Sequence, residues 1–204
     1  MKDINLFYII STVCLFSLIH SGCTNAGKTA LEKSDVLIIR DTNLIYSFVK
    51  SITDTNSVGL LLDIACKIVD EPRDLEDIYS LDTFFNEKDF QLIRDQIGNK
   101  SAFFWDAKRL SNYVIINNES IIVLRNFNTG NSTGKNDNFW NNYYQLYQTG
   151  FTKMSVPIFN ADKKLAIIKV GYYCGGLCGG GDTKIYKFRN GIWAEVYIIS
   201  SWVS

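Results

Sequence analysis

Apolar residues run almost unbroken from Ile4 to Ile19, and nowhere else does the chain stay apolar for so long. Further on, the apolar positions become periodic. From Asp41 to Ile52, Leu44, Ile45, Phe48, Val49 and Ile52 fall at helical spacing, with Asp41 or Thr42 placed to cap. The run from Val58 to Val69 reads as a buried strand or a helix, the strand being preferred, and Pro72 closes it. Asn86 opens a second helix: Glu87 and Asp89 make an acidic first turn, Phe90, Ile93 and Ile97 share a face, and Gly98 stops it. Tyr113–Ile116 and Ile121–Leu124 read as two strands joined at Asn117–Ser120. Asn126 to Asn138 is a long polar loop, hence a mobile or functional one. Asp137 or Asn138 then caps a helix on which Trp140, Tyr143, Tyr144 and Tyr147 fall at i, i+3, i+4 and i+7, the pattern of a core face.

The last quarter reads as strand. Met154–Phe159, a turn at Asn160–Lys164, Leu165–Tyr173, Thr183–Arg189 and Ile192–Val203 form a meander of about four strands. Asn190-Gly191 is a strong hairpin signal, and a two-residue loop there sets Phe188 opposite Trp193. The expected fold class is α+β, with helices of the first half packed on a mainly antiparallel sheet that the last fifty or so residues complete.

The opening run is shorter than the roughly 20 apolar residues of a spanning helix. Met1-Lys2 gives it a basic start and Ser21-Gly22 a small-residue end, the layout of a secretory signal. Cys23 follows at once. The arrangement resembles the lipobox of bacterial lipoproteins, although His20 stands where that pattern has an aliphatic residue. The expectation is a signal peptide over 1–22, a thiol of Cys23 that carries lipid, a flexible tether over 23–33, and one domain over 34–204. The protein would then be lipid-anchored in the bacterial cell envelope, at the periplasmic face or the cell surface, with the membrane as its first partner. A second motif overlaps. Gly22–Thr29 matches the phosphate-loop pattern, and Asp63 ends an apolar run as a magnesium-binding carboxylate would. Cleavage before Cys23 removes Gly22 and with it the motif.

Composition narrows the chemistry. Lys+Arg and Asp+Glu balance at 21 each, so no basic stripe points to nucleic acid. The one histidine, His20, lies in the segment expected to be removed, so the mature chain would have none. That excludes Ser–His–Asp and Cys–His catalysis and withholds the commonest transition-metal ligand. No cofactor or metal is expected. With 4 Trp, 11 Tyr and 13 Phe, aromatics are abundant; a β-rich core explains most, and exposed ones would suit a sugar or a protein partner.

Cys174-Gly175-Gly176-Leu177-Cys178-Gly179-Gly180-Gly181 lies between two strands. In an oxidising compartment Cys174 and Cys178 would pair, with glycines allowing the tight turn that so short a bridge needs. Three readings compete: a structural knot at a recognition tip, with Gly175, Gly176, Leu177, Gly179, Gly180 and Gly181 meeting a ligand; a thiol–disulfide site; and a metal site that would need Cys66 and a carboxylate besides the two thiolates. The knot is favoured, with Cys66 an unpaired buried thiol.

Ser155-Val156-Pro157-Ile158-Phe159-Asn160, the Cys-Gly segment, Gly191-Ile192-Trp193 and Trp202-Val203-Ser204 resemble the C-terminal signature of a family of uncharacterised secreted or lipid-anchored bacterial proteins. Asp182-Thr183-Lys184 departs from it, since a more apolar start to the strand is expected there. The resemblance implies an envelope protein with this meander and no activity. The expected function is a non-enzymatic binding domain that meets a protein, glycan or small ligand through the Asn126–Asn138 loop and the cysteine–glycine tip. The alternatives are a hydrolase using carboxylates in a cleft and a thiol–disulfide protein using Cys174 and Cys178.

Overall fold

The computed structural model of the chain describes residues 41–53, 58–126 and 135–204, with backbone alone for 135–138. Cys23, the signal segment, the tether and the Gly22–Thr29 motif lie outside the described residues. Helix α1 (Thr42–Ile52) is followed by strand β1 (Gly59–Leu62), α2 (Pro72–Tyr79) and α3 (Glu87–Gly98). Next come β2 (Tyr113–Ile116), α4 (Asn118–Asn126) and α5 (Lys135–Tyr147). The chain ends in β3 (Phe151–Met154), β4 (Ile158–Phe159), β5 (Leu165–Gly175), β6 (Cys178–Arg189) and β7 (Ile192–Val203). One seven-stranded sheet runs β2-β1-β3-β5-β6-β7, with β4 also on β5. β1 pairs parallel with β2 and β3, and every other pairing is antiparallel. The fold is α+β, with helices in the first half and the meander in the second.

Alternation along β5 divides the core. Ala166 and Ile168 face α1, where Phe48 is fully buried among Phe159, Tyr186 and Trp193. Burial of a Phe side chain contributes about 1.5–3 kcal/mol, so Phe48 anchors the helix. Leu165 and Ile167 face the other way, against Ile78 of α2 and Phe90 and Ile93 of α3. At the far end of that second face, Leu62, Ile116 and Phe151 pack against Ile121 of α4 and Tyr143 of α5. The aromatic stripe of α5 is thus a core face, with Tyr143 wholly buried.

Helix starts follow local chemistry. Asp41 Oδ1 accepts the Leu44 N–H at 3.0 Å. Asn86 Oδ1 accepts the Asp89 N–H, and Asp89 Oδ2 accepts the Asn86 N–H in return. The other oxygen of the buried Asp89 accepts the Ala161 N–H at 2.9 Å, which ties α3 to the turn before β5. The side-chain amide of Gln96 exchanges two hydrogen bonds with the Phe159 backbone and so completes the outer edge of β4.

Four expectations need correction. Ile121–Leu124 is helix, not strand. Asp63 Oδ1 accepts the Asn118 N–H and Asn117 Oδ1 the Glu119 N–H, so Asn117–Ser120 starts a helix instead of a hairpin. The Val58–Val69 run holds only a four-residue strand, then single bridges from Ile64 to Phe104 and from Cys66 to Ser155. Pro72 sits in the first turn of α2, a position that tolerates its missing N–H. Asp137 and Asn138 lie inside α5, which begins at Lys135, and of the predicted loop residues 127–134 are outside the described residues. Met154–Phe159 is two strands divided at Val156-Pro157, because proline cannot donate to a ladder.

Candidate functional site

β5 and β6 form a hairpin whose last pair is Gly175 with Cys178, so Gly176-Leu177 is a two-residue turn. Cys174 and Cys178 are disulfide-bonded across it, with Cα atoms 5.0 Å apart. Leu177 is 92 % exposed. Behind the tip the glycines have a steric reason. A Cβ on Gly181 would stand 2.6 Å from the Trp202 indole nitrogen and 2.7 Å from the Val170 carbonyl oxygen. On Gly179 it would meet the Tyr172 carbonyl oxygen at 3.0 Å, and on Gly180 the Trp202 carbonyl oxygen at 3.2 Å. Trp202 therefore lies over a glycine floor completed by Gly171, with Tyr173 beside it at 5.2 Å between ring centroids. At Gly176 nothing stands within 4 Å.

The tip residues do not form one site. Gly180 and Gly181 line a cleft of about 570 Å³ on the α1 face of the sheet. Met154, Ile168 and Val170 supply its apolar floor, and Tyr113, Tyr172 and Tyr186 its aromatic walls. Ile52 and Thr53, where α1 stops, close one side. Asp182 and Lys184 enter from β6 and Ser201 from β7. Strand alternation places Gly180, Asp182, Lys184 and Tyr186 on one face of β6, opposite Val203, Ser201, Ile198 and Glu195 of β7.

The charges are paired within this wall. Lys184 Nζ lies 3.1 Å from Asp182 Oδ2 and 3.1 Å from Glu195 Oε2. The Ser201 hydroxyl donates to Asp182 Oδ1 at 2.7 Å. That hydroxyl, with Lys184 beside it, holds the Asp182 carboxyl below the usual carboxylate range, against a smaller opposing effect of burial. Burial works against the Lys184 ammonium, yet its bonds to Glu195 and Asp182 outweigh it and raise the pKa above the ordinary lysine value. Burial also raises the Tyr113 and Tyr186 phenols. The Tyr172 hydroxyl accepts the Gly150 N–H at 3.2 Å, which fixes that ring at the rim.

The other candidate residues fall elsewhere. Cys66 is half-buried next to β3, and burial, aided by Asp70, pushes its thiol up to about 11. Lys169, close by, is ion-paired with Asp70 at 2.6 Å and Asp74 at 3.7 Å. Among the described residues no three metal-ligating side chains converge, so Cys66 does not join Cys174 and Cys178. Asp63 is occupied in starting α4. A shallower depression lies between α4 and α5 around Leu124, Leu146 and Tyr147, without the paired charges of the cleft. Sequence reasoning missed Asp182, Lys184, Ser201 and the three tyrosines. The signal is present in the i, i+2, i+4 spacing of Asp182, Lys184 and Tyr186, hidden because the expected strand starts at Thr183, five residues inside β6.

No helix among the described residues is long and apolar enough to cross a membrane. Comparison with protein-family models, with curated proteins and with solved structures returns no significant match for the chain.

Proposed function

We propose that the chain is an envelope-anchored, non-enzymatic binding domain: lipid on Cys23 holds it to the membrane, and the cleft on the α1 face takes the ligand. The carrying observation is the wall of the cleft, where Lys184, Asp182, Glu195 and Ser201 hold one another in place before any ligand arrives. A site whose charged groups are already paired suits recognition. A hydrolase working with carboxylates needs a general acid whose pKa is raised, and Asp182 is shifted the other way. The thiol–disulfide alternative needs a low-pKa thiol, commonly at a helix N-terminus, whereas Cys174 and Cys178 sit at a hairpin tip. The family suggested by the C-terminal signature fits this reading, because its glycines and Trp202 build one wall of the sheet that carries the cleft.

Oxidative footprinting of tyrosines, in intact envelopes and in the purified protein, tests the reading. Tyr172 and Tyr197 are each 44 % exposed, but Tyr197 lies on the opposite face against Phe84. Tyr172, Tyr113 and Tyr186 should be protected in the envelope while Tyr197 labels equally in both. Equal labelling of the cleft tyrosines in the two preparations overturns the proposal.

A further inference from the structure

We infer that the cleft is built for a neutral carbohydrate, a short oligosaccharide laid across the sheet; the inference rests on the binding reading above and names its ligand class. Three observations carry it. The first is hydrogen-bond capacity. The Asp182 carboxylate has about four acceptor positions, of which Ser201 and Lys184 use two. Lys184 has three N–H donors, of which Asp182 and Glu195 take two. The Tyr172 oxygen accepts from Gly150, and its O–H has only a long 3.5 Å contact with the exposed Thr149 hydroxyl, which a ligand oxygen can replace. The wall thus keeps spare donors and spare acceptors side by side, and a vicinal diol is a ligand that needs both.

The second observation is charge. Two carboxylates share one ammonium, so an anion meets repulsion from Asp182 and Glu195, while a cation must compete with Lys184 for oxygens already engaged. A neutral polar ligand pays neither cost. The third is the apolar remainder. Met154, Ile168 and Val170 form the floor, and Tyr113, Tyr172 and Tyr186 stand around it. A sugar ring has a C–H face to set on tyrosine and a rim of hydroxyls to set on the polar wall. A simple acyl chain would fill the floor but leave Asp182 and Lys184 desolvated without new partners, which is unfavourable. The volume, about 570 Å³, lies within the range of sites that enclose small organic ligands.

The test uses the purified full chain and four probes: chitotriose and maltotriose as neutral trisaccharides, spermidine as a cation and tri-galacturonate as an anion. Calorimetric titration should show saturable binding of at least one neutral trisaccharide at concentrations on the order of millimolar, and tighter than either charged probe. Asp182→Asn removes a charged acceptor and should weaken that binding about tenfold. Tyr172→Ala should weaken it similarly, while Tyr197→Ala, on the opposite face, leaves it unchanged; an unaltered circular dichroism spectrum establishes that each variant is folded. No binding of either neutral probe at about 10 mM overturns the inference, as does binding indifferent to Asp182→Asn and Tyr172→Ala, or preference for spermidine or tri-galacturonate. If the cleft tyrosines remain protected in envelopes while both trisaccharides fail, the carbohydrate assignment falls and the binding reading stands. If that protection is absent as well, both fall.

Discussion

Lys184 sets the charge of the cleft, and the signs of the shifts around it fix how the protein responds to pH. Asp182 is held below its ordinary value by the Ser201 hydroxyl first and Lys184 second. Its contribution is therefore complete above the ordinary carboxylate pKa of 3.8 and is lost as pH falls through the lower folded value. Lys184, raised above its ordinary 10.5, contributes fully below that pH and loses its share only as pH rises past the folded value. Between about pH 5 and 9 neither group changes charge. The stability gap between the native sequence and Asp182→Asn should be constant across that window and close as pH falls below 4. Asp182 is partly exposed, so the gap is under about 1 kcal/mol, the scale of a solvent-screened pair. Urea midpoints measured from pH 2.5 to 8 read it directly, and a gap that widens in acid would reverse the assignment. Cys66 shows the opposite balance. Burial and Asp70 drive its thiol up more than Lys169 and Lys153 bring it down, so at neutral pH it stays protonated and a poor nucleophile.

At the scale of elements, β5, β6 and β7 are fitted together by an aromatic ring lying where side chains are missing. The Gly181 Cβ position is bounded by the Trp202 indole nitrogen at 2.6 Å and by backbone at 2.7 Å and 2.8 Å. Rotation of Trp202 can relieve only the first of these. Gly181→Ala should therefore destabilise by about 1–3 kcal/mol, the cost of overpacking, and shift the Trp fluorescence. Gly176→Ala, facing open space in the turn, should stay within about 0.5 kcal/mol of the native chain. Equal urea midpoints for the two variants would show that Trp202 does not depend on the glycine floor. The same contrast explains what was legible in the sequence. The meander, the Asn190-Gly191 hairpin and the Phe188–Trp193 pair, whose rings are 5.2 Å apart, follow from local turn chemistry and period-two alternation. Asp41 and Asn86 cap as expected because a cap is a three-residue matter. The α4 segment was misread because Ile121-Ile122-Val123-Leu124 has strand composition. Its helix start is decided by Asp63, 55 residues earlier. The cleft was illegible for a related reason. Tyr113, Tyr172 and Ser201 lie on three strands, and only the sheet order β2-β1-β3-β5-β6-β7 brings them to one face. Asp182 and Lys184 looked like a departure from the expected apolar strand, and they are the polar wall of the cleft.

For the whole molecule, the direction of α1 links the start of the described fold to the site. Asp41, where the described fold begins, is ion-paired at 3.6 Å with Lys163 in the turn before β5. From there α1 runs about 16 Å to Ile52 at the cleft. Beyond it, β5 runs its eleven residues, about 35 Å, from the Lys163 turn toward the Cys174–Cys178 tip. A chain tethered through Cys23 thus enters its domain at one end of the sheet and offers the cleft and Leu177 toward the other. With lipid on Cys23, as proposed, this polarity would point the ligand site away from the membrane. The intact mass of the protein extracted from its native membrane decides whether that picture starts from a true premise. Processing at Ser21-Gly22-Cys23 predicts a chain that begins at Cys23 and carries the added mass of acyl groups, with one alkylatable thiol, Cys66, before reduction and three after it. A Cys23→Ser variant should leave the membrane fraction or retain its first 22 residues. A native chain that still begins at Met1, with five free thiols, would instead restore the Gly22–Thr29 loop as a phosphate-binding candidate. The cleft would then have to be explained for a protein with no lipid to orient it.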